Sequence, residues 1–198
     1  MGSLSLNQFQ APLLGPIDLH LAAGECLALS GPSGSGKSRL LRALADLDPA
    51  LGGVQLDGRD RLLFSGPEWR RKVGLLPAES GWWHERVGDH FERVDEGLFN
   101  QLDLELNCLD WEVNHLSSGE RQRLSLIRLL SQQPEVLLLD EPTANLDRHN
   151  IERVETLIES WRNTHHAAVL WVSHDPEQRR RIADHAWRIV SGELRPES

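Results

Sequence analysis

The chain has 198 residues, of which 39% are hydrophobic and 26% charged, with a mean hydropathy of -0.40 and a formal net charge of -9. These values describe one well-buried globular domain with room for a small inserted lobe, and they exclude a disordered chain or two large domains. The negative balance argues against a broad nucleic-acid surface, which needs phosphate-neutralising Lys and Arg, and no run approaches the roughly twenty apolar residues that span a bilayer.

Met1 to Asn7 lacks the basic flank and apolar core of a secretory signal, so the cytoplasm is the expected compartment. Leu4 to Phe9 alternates weakly and Ile17 to Leu21 alternates well, predicting two half-buried strands, with Ala22 to Glu25 as the turn that follows. Glu25 to Ser30 is an apolar strand. Its cysteine, Cys26, is far from the other, Cys108, without C-x-x-C spacing; neither a metal site nor a disulfide framework is expected, and Cys26 reads as a small buried hydrophobe.

Gly31 to Ser38 reads GPSGSGKS and matches the phosphate-loop pattern G-x-x-x-x-G-K-[ST]. In that pattern the backbone of Gly31, Pro32, Ser33, Gly34, Ser35 and Gly36 turns its N–H groups inward as a cradle for phosphate oxygens, and glycine is needed where a Cβ would obstruct it. Lys37 would reach the β- and γ-phosphates, and the Ser38 hydroxyl would ligate Mg²⁺. Arg39 to Ala45 is a strong helix former starting at the loop, so the helix N-terminus faces the anion, and Arg39 joins the expected nucleotide-binding set.

Leu51 to Gly53 is expected to end the first helix region, Gly53 to Gly58 to form a short strand closed by a turn, and Arg70 to Pro77 a further strand stopped by its proline. From Ala78 to about Asn114, aromatic and leucine residues punctuate an acidic background at weak helical spacing, which predicts a small helical lobe. Ser118 to Gln132 is a helix with a broad apolar side. Glu135 to Asp140 reads as a strand buried on both faces, His149 to Arg162 as an amphipathic helix, and Ala167 to Ser173 as another buried strand. A polar helix over Pro176 to Asp184 and a closing hairpin around Ala186 to Gly192 complete the chain. Strands alternating with helices mean an α/β sheet, mostly parallel in its core.

Four further stretches complete a site. Asp140 ends an apolar strand at the edge where ligands bind in such sheets and would hold Mg²⁺; Glu141, one step on, is placed to polarise the water that attacks a γ-phosphate. An N-cap role for this acid pair is the plain alternative. His174 ends the strand Val169 to Ser173 and could hydrogen-bond a γ-phosphate oxygen or hold the water and Glu141 in line. Leu116 to Gln122 supplies Ser117, Ser118 and Gly119 at a helix N-terminus, where an anion site and a simple N-cap explain the residues equally well. Pro142 to Asp147 is a turn whose Asp147 could link two sites.

With these stretches in order, the sequence resembles an ATP-binding cassette ATPase over essentially its whole length. GPSGSGKS is similar to the family's Walker A loop, VLLLDE to its Walker B strand, LSSGERQ to its signature, ANLD to its D-loop and WVSHD to its switch histidine. The resemblance implies a RecA-like α/β core with an antiparallel β subdomain and an inserted helical subdomain, the core being residues 1–77 and 133–198 and the insertion about 78–132. It also implies a head-to-tail homodimer in which ATP lies between the phosphate loop of one subunit and Ser117, Ser118, Gly119 and Glu120 of the other. A narrower likeness, in GERQRLSLIRLL, VLLLDEPTANLD and AVLWVSHD, is to small bacterial subunits that pair with a separate permease, including a group linked to iron export.

The sequence departs from the family pattern in places. The glutamine usual after the strand at the core-to-lobe joint falls at Ala78, with Glu79 next to it; Ser118 stands for a glycine and Glu120 for a glutamine. The chain has no tyrosine, so Phe9 is the aromatic at the expected distance to stack on adenine, or else a core strand residue. The expected function is thus the ATP-hydrolysing subunit of a bacterial transporter, at the inner face of the membrane through an integral membrane permease, with Lys37, Glu141 and His174 as the catalytic set. Trp82 and Trp83 either touch that permease or pack inside the lobe. A soluble cassette ATPase acting on nucleic acid or ribosomes is the rival, disfavoured by the single cassette and the negative charge; a regulator that barely hydrolyses is disfavoured by Glu141 and His174.

Overall fold

The structure is a computed structural model describing residues 2–197. β1 (Leu4–Ala11) and β2 (Leu14–Leu21) form an antiparallel hairpin. β3 (Cys26–Ser30), buried at every position, leads into α1 (Lys37–Leu44). β4 (Leu51–Leu56) and β5 (Arg59–Asp60) follow, then α2 (Gly66–Lys72) and β6 (Val73–Leu76). After a lobe that contains α3 (Glu96–Gln101) come α4 (Ser118–Leu130), β7 (Val136–Asp140), α5 (Arg148–His165), β8 (Ala168–Val172) and α6 (Pro176–Ile182). The hairpin of β9 (His185–Val190) and β10 (Glu193–Pro196) ends the order.

Two sheets result. One is antiparallel, in the order β2-β1-β4-β5; the other runs β10-β9-β3-β8-β7-β6 and is parallel from β9 to β6. Alternation along the inner strands divides the core: Val136, Leu138, Leu170 and Val172 pack with α1 and the antiparallel sheet, while Leu137, Leu139, Val169 and Trp171 pack with α4, α5 and the lobe. Strands with apolar residues on both faces are what a parallel sheet covered on both sides demands.

The structure corrects several boundaries. Leu51 opens β4 instead of closing a helix, and α1 starts two residues earlier than expected, at Lys37. Arg70 to Lys72 belongs to α2: Ser65 accepts from the Glu68 N–H at 3.4 Å while Glu68 accepts from the Ser65 N–H at 3.4 Å, a reciprocal cap that fixes the helix start. Trp69 of α2 is fully buried and donates from Nε1 to the Leu44 carbonyl at 2.8 Å, which seats that helix on the end of α1. The lobe is less helical than its leucine spacing suggests. Beside α3, its helical structure among the described residues is limited to 3-10 turns at Gly88–His90, Leu106–Asp110 and Val113–His115, and Val87, Leu104 and Cys108, which lie outside α3, are buried in the same core as Leu98 and Phe99 of α3 and the apolar side of α4.

Candidate active site

Because β3, β8 and β7 lie side by side and parallel, their carboxyl ends deliver three loops to one edge of the sheet. The first loop is Gly31 to Ser38. Gly31, Gly34 and Gly36 have φ of 148°, 76° and 102°. A Cβ on Gly31 would come within 2.8 Å of Ser35 Oγ, and one on Gly36 within 3.0 Å of Leu14, so the cradle excludes larger residues by both dihedral and space. Lys37 is 7% exposed, and its Nζ donates to the carbonyls of Gly31 at 2.9 Å and Pro32 at 3.1 Å. Among the described residues no carboxylate pairs with it. Ser35 Oγ is buried without a partner, and the first turn of α1 carries no acidic residue. An orphaned hydroxyl, an ammonium held by carbonyls alone and free helix N–H groups together fit a polyphosphate.

The second loop follows β7. Asp140 is 5% exposed. Burial pushes its carboxyl above the ordinary range, against which the Ser38 hydroxyl donates a hydrogen bond; Glu141 adds to the rise, while Lys37 and His174 oppose it. Ser38 and Asp140 thus place a hydroxyl and a carboxylate together, the hard oxygen donors that suit Mg²⁺. Glu141 adopts a left-handed backbone, φ 50°, held by its N–H donating to the Val172 carbonyl at 3.2 Å. The third loop follows β8 and carries His174, whose Nε2 lies 2.9 Å from a Glu141 carboxylate oxygen.

Behind that pair lies a residue that sequence reasoning missed. Gln178 of α6 is 4% exposed; its Oε1 accepts from Ser173 Oγ at 2.7 Å and its Nε2 donates to Thr143 Oγ1 at 3.0 Å and Glu155 at 2.8 Å. One amide therefore ties the loop after β7 to the loop after β8. Nothing in the polar run from Pro176 to Asp184 distinguishes it from the solvated glutamines.

Ser117 is the N-cap of α4: its Oγ accepts from the Glu120 N–H at 3.2 Å, and Glu120 accepts from the Ser117 N–H at 2.9 Å and from its hydroxyl at 2.7 Å. The Ser117 hydroxyl and N–H hold the Glu120 carboxyl below its usual range. A Cβ on Gly119 would meet the Asn145 carbonyl at 3.4 Å, so the signature abuts the turn before α5. Ser117 and Ser118 are exposed, and no hydrogen bond among the described residues joins them to the Gly31 to Ser38 loop. Asp147 caps α5, one oxygen accepting from the Asn150 N–H at 2.9 Å and the other from its side-chain amide at 2.7 Å; these bonds lower its carboxyl pKa.

The family model described as ABC transporter matches residues 14–144. The chain belongs to the ABC transporter family. It is 36% identical over 195 residues to the protein STAR1 of rice, Oryza sativa subsp. japonica, covering 92% of this chain and 56% of that protein. It is 32% identical over 194 residues to the probable iron export ATP-binding protein FetA of Escherichia coli strain K12, covering 91% of this chain and 84% of that one. A bacterial Atm1-family ABC exporter solved with ATP bound superposes with a TM-score of 0.85 at 22% identity, over 98% of this chain and 38% of the exporter chain. The chain thus spans little more than half of the rice protein and well under half of the exporter, whose likeness shows the fold.

Several features of this ABC transporter chain differ from or sharpen expectation. Phe9 is 1% exposed and packed in the core, paired with Ile17, so it presents no face to a nucleotide base. The apolar side chain at that edge is Leu13, 64% exposed in the β1–β2 turn; its neighbour Leu14 packs on Gly36, and its own carbonyl would meet a Cβ on Gly192 at 2.8 Å. Ala78 and Glu79 are both exposed just beyond β6. Trp82 is half-buried against the lobe while Trp83 is 68% exposed, so the two indoles divide between packing and surface. His90, 7% exposed, organises their turn: its Nε2 accepts from the N–H groups of Trp83 at 2.9 Å and His84 at 3.0 Å, and its Nδ1 donates to the Arg86 carbonyl at 3.0 Å. That pattern requires a neutral ring.

Proposed function

We propose that this chain binds and hydrolyses ATP as the nucleotide-binding subunit of a membrane transporter. The observation that carries the reading is the Glu141–His174 contact at 2.9 Å, set on the same sheet edge as the phosphate loop. The backbone from Gly31 to Gly36 cradles the β-phosphate, Lys37 leaves its loop carbonyls for the β- and γ-oxygens, and Arg39 lies in the first turn beyond. Ser38 and Asp140 hold Mg²⁺, which when bound neutralises charge developing on the phosphate oxygens. Glu141 accepts a proton from water in line with the γ-phosphorus, and His174, donating from Nε2, fixes that carboxylate; Gln178 keeps the two loops in register. Leu13 gives the base an aliphatic neighbour in place of a stacked ring.

Ser117, Ser118, Gly119 and Glu120 complete the site of a second copy in a head-to-tail homodimer, with Asp147 near that contact. The exposure of Ser117 and Ser118 at a helix N-terminus, with no hydrogen bond among the described residues to their own phosphate loop, supports this arrangement. No helix among the described residues is long and apolar enough to cross a membrane; the membrane connection is through a permease, for which exposed Trp83 beside Trp82 is the contact. The test is phosphate release by the purified chain with ATP and Mg²⁺: turnover that is lost in Lys37→Ala supports the reading, and turnover unchanged by that substitution overturns it.

A further inference from the structure

Gln178 joins two of the three loops at the sheet edge, and the residue beside it in α6 reaches toward the third. Arg179 is buried, and its guanidinium forks onto the carboxylate of Glu197, just past β10: Nη2 donates to Oε1 at 2.7 Å and Nε to Oε2 at 3.2 Å. Its remaining nitrogen, Nη1, donates to the Ser173 carbonyl at 3.1 Å, one residue before His174. On the other side, Glu197 Oε2 accepts from the Ser30 hydroxyl at 2.9 Å, one residue before Gly31. The Glu197 N–H donates to the Ala186 carbonyl at 2.8 Å, which anchors it to β9, and a Cβ on Gly31 would meet the Ile189 carbonyl of that same strand at 3.0 Å. One ion pair thus runs from the last residue of β3 to the first residue past β8.

Burial alone would raise the Glu197 carboxyl pKa; hydrogen bonds from Arg179 and Ser30, with the charges of Arg179 and Arg188, outweigh it and hold the group below its usual range. An ionised carboxylate therefore faces a buried guanidinium. Two apolar side chains of like volume would serve stability about as well, because a buried pair must offset the loss of its water. What they would not supply is direction. The planar fork fixes where Ser30 and Ser173 lie relative to one another, and each is bonded in sequence to a residue of the site.

We propose that Arg179 and Glu197 are positioning residues that set the separation of the phosphate loop and the His174 loop, so that Glu141, fixed by His174, faces the γ-phosphate that Lys37 holds. This rests on the reading of the sheet edge as a site of ATP hydrolysis. Both residues act through a neighbour, Arg179 through Ser173 and Glu197 through Ser30. With Gln178 tying the loop after β7 to the loop after β8, all three loops are then joined by side chains as well as by the sheet.

The test combines Arg179→Met with Glu197→Met in the full chain, which removes both charges and their bonds while keeping the space filled. The melting temperature is expected to change little. At a temperature where the variant is folded, kcat for ATP is expected to fall about tenfold with KM little changed. Hydrogen exchange in the nucleotide-free chain is expected to quicken at the amides of residues 31–38 and 173–178 but not in α5. Glu197→Gln keeps the shape but offers one acceptor oxygen where the carboxylate offers two, and is expected to move both readouts the same way by less. Glu193→Gln, which removes only the exposed partner of Arg195 on β10, is expected to leave them in place. Either kcat or loop exchange at its wild-type value in the double variant overturns the proposal and makes the pair a structural one. So does exchange that quickens throughout the chain with a fallen melting temperature, or an equal effect of Glu193→Gln. A wild-type chain that releases no phosphate overturns the ATPase reading instead, and the exchange measurement still decides whether the pair holds the two loops together.

Discussion

The imidazole of His174 and the carboxylate of Glu141 meet at 2.9 Å although 32 residues of sequence, counted from 141 to 174, intervene between them. They meet because β7 and β8 are adjacent and in register, Asp140 opposite Val172, so the first residue past β7 and the second past β8 leave the sheet at the same edge. Glu141→Gln keeps the shape and removes the base. Turnover is expected to fall about 10²- to 10⁴-fold with nucleotide affinity retained, and light scattering is expected to show an ATP-dependent dimer; a monomer at saturating ATP would count against the head-to-tail arrangement.

Gln178 allows positioning to be separated from chemistry. Gln178→Met keeps the volume but strips the bonds to Ser173, Thr143 and Glu155. The stability cost, to be read by urea titration, is expected to be about 1–3 kcal/mol. At a temperature where the variant is folded, kcat is expected to fall about tenfold with KM for ATP little changed, a split that a purely structural glutamine would not give.

Phe9 and Leu13 make opposite predictions. Phe9→Ala empties a core position and is expected to cost about 3–5 kcal/mol of stability. Leu13→Ala, at an exposed turn, should leave the urea midpoint in place and raise the Kd for ATP about five- to tenfold, from the lost apolar contact. Isothermal titration with both variants distinguishes a base-contacting Leu13 from a bystander.

His90 predicts a pH dependence. Its pKa is lowered first by burial, then by the charges of Arg128 and His84, against the opposing hydrogen bonds to backbone carbonyls. The unfolded chain takes up the proton below about pH 6.5 while the folded chain does not, so stability falls as the pH drops from that point toward the folded pKa, by at most about 1.4 kcal/mol per pH unit. The slope of melting temperature against pH is expected to flatten between pH 7 and about 5 in His90→Phe relative to the wild type; an equal slope would refute a neutral, buried ring.

The phosphate loop was legible in the sequence because its chemistry is local: Gly31 to Ser38 carries cradle, lysine and hydroxyl in one run. The buried strands β3, β7 and β8 were equally plain. Phe9 was not, because period-two reading fails at a bulge. The register of β1 shifts on either side of Phe9 and Gln8 sits at φ 48°, which turns Phe9 inward where strict alternation from Leu4 and Leu6 would turn it out. The start of α2 was written in Ser65, Pro67 and Glu68, but the apolar run after it drew the reading toward a strand. Gln178 carries no local sign, since its partners come from α5 and from loops brought together only by the sheet.

The left-handed backbone at Glu141 sets stability against catalysis at one position. A side chain with a Cβ at φ 50° is held there at a cost of about 1–3 kcal/mol that glycine would largely avoid. Libraries of this chain screened for heat resistance alone should therefore drift toward Gly or Asn at 141, gaining melting temperature as they surrender turnover, whereas screens for ATP-driven work should keep the strained acid.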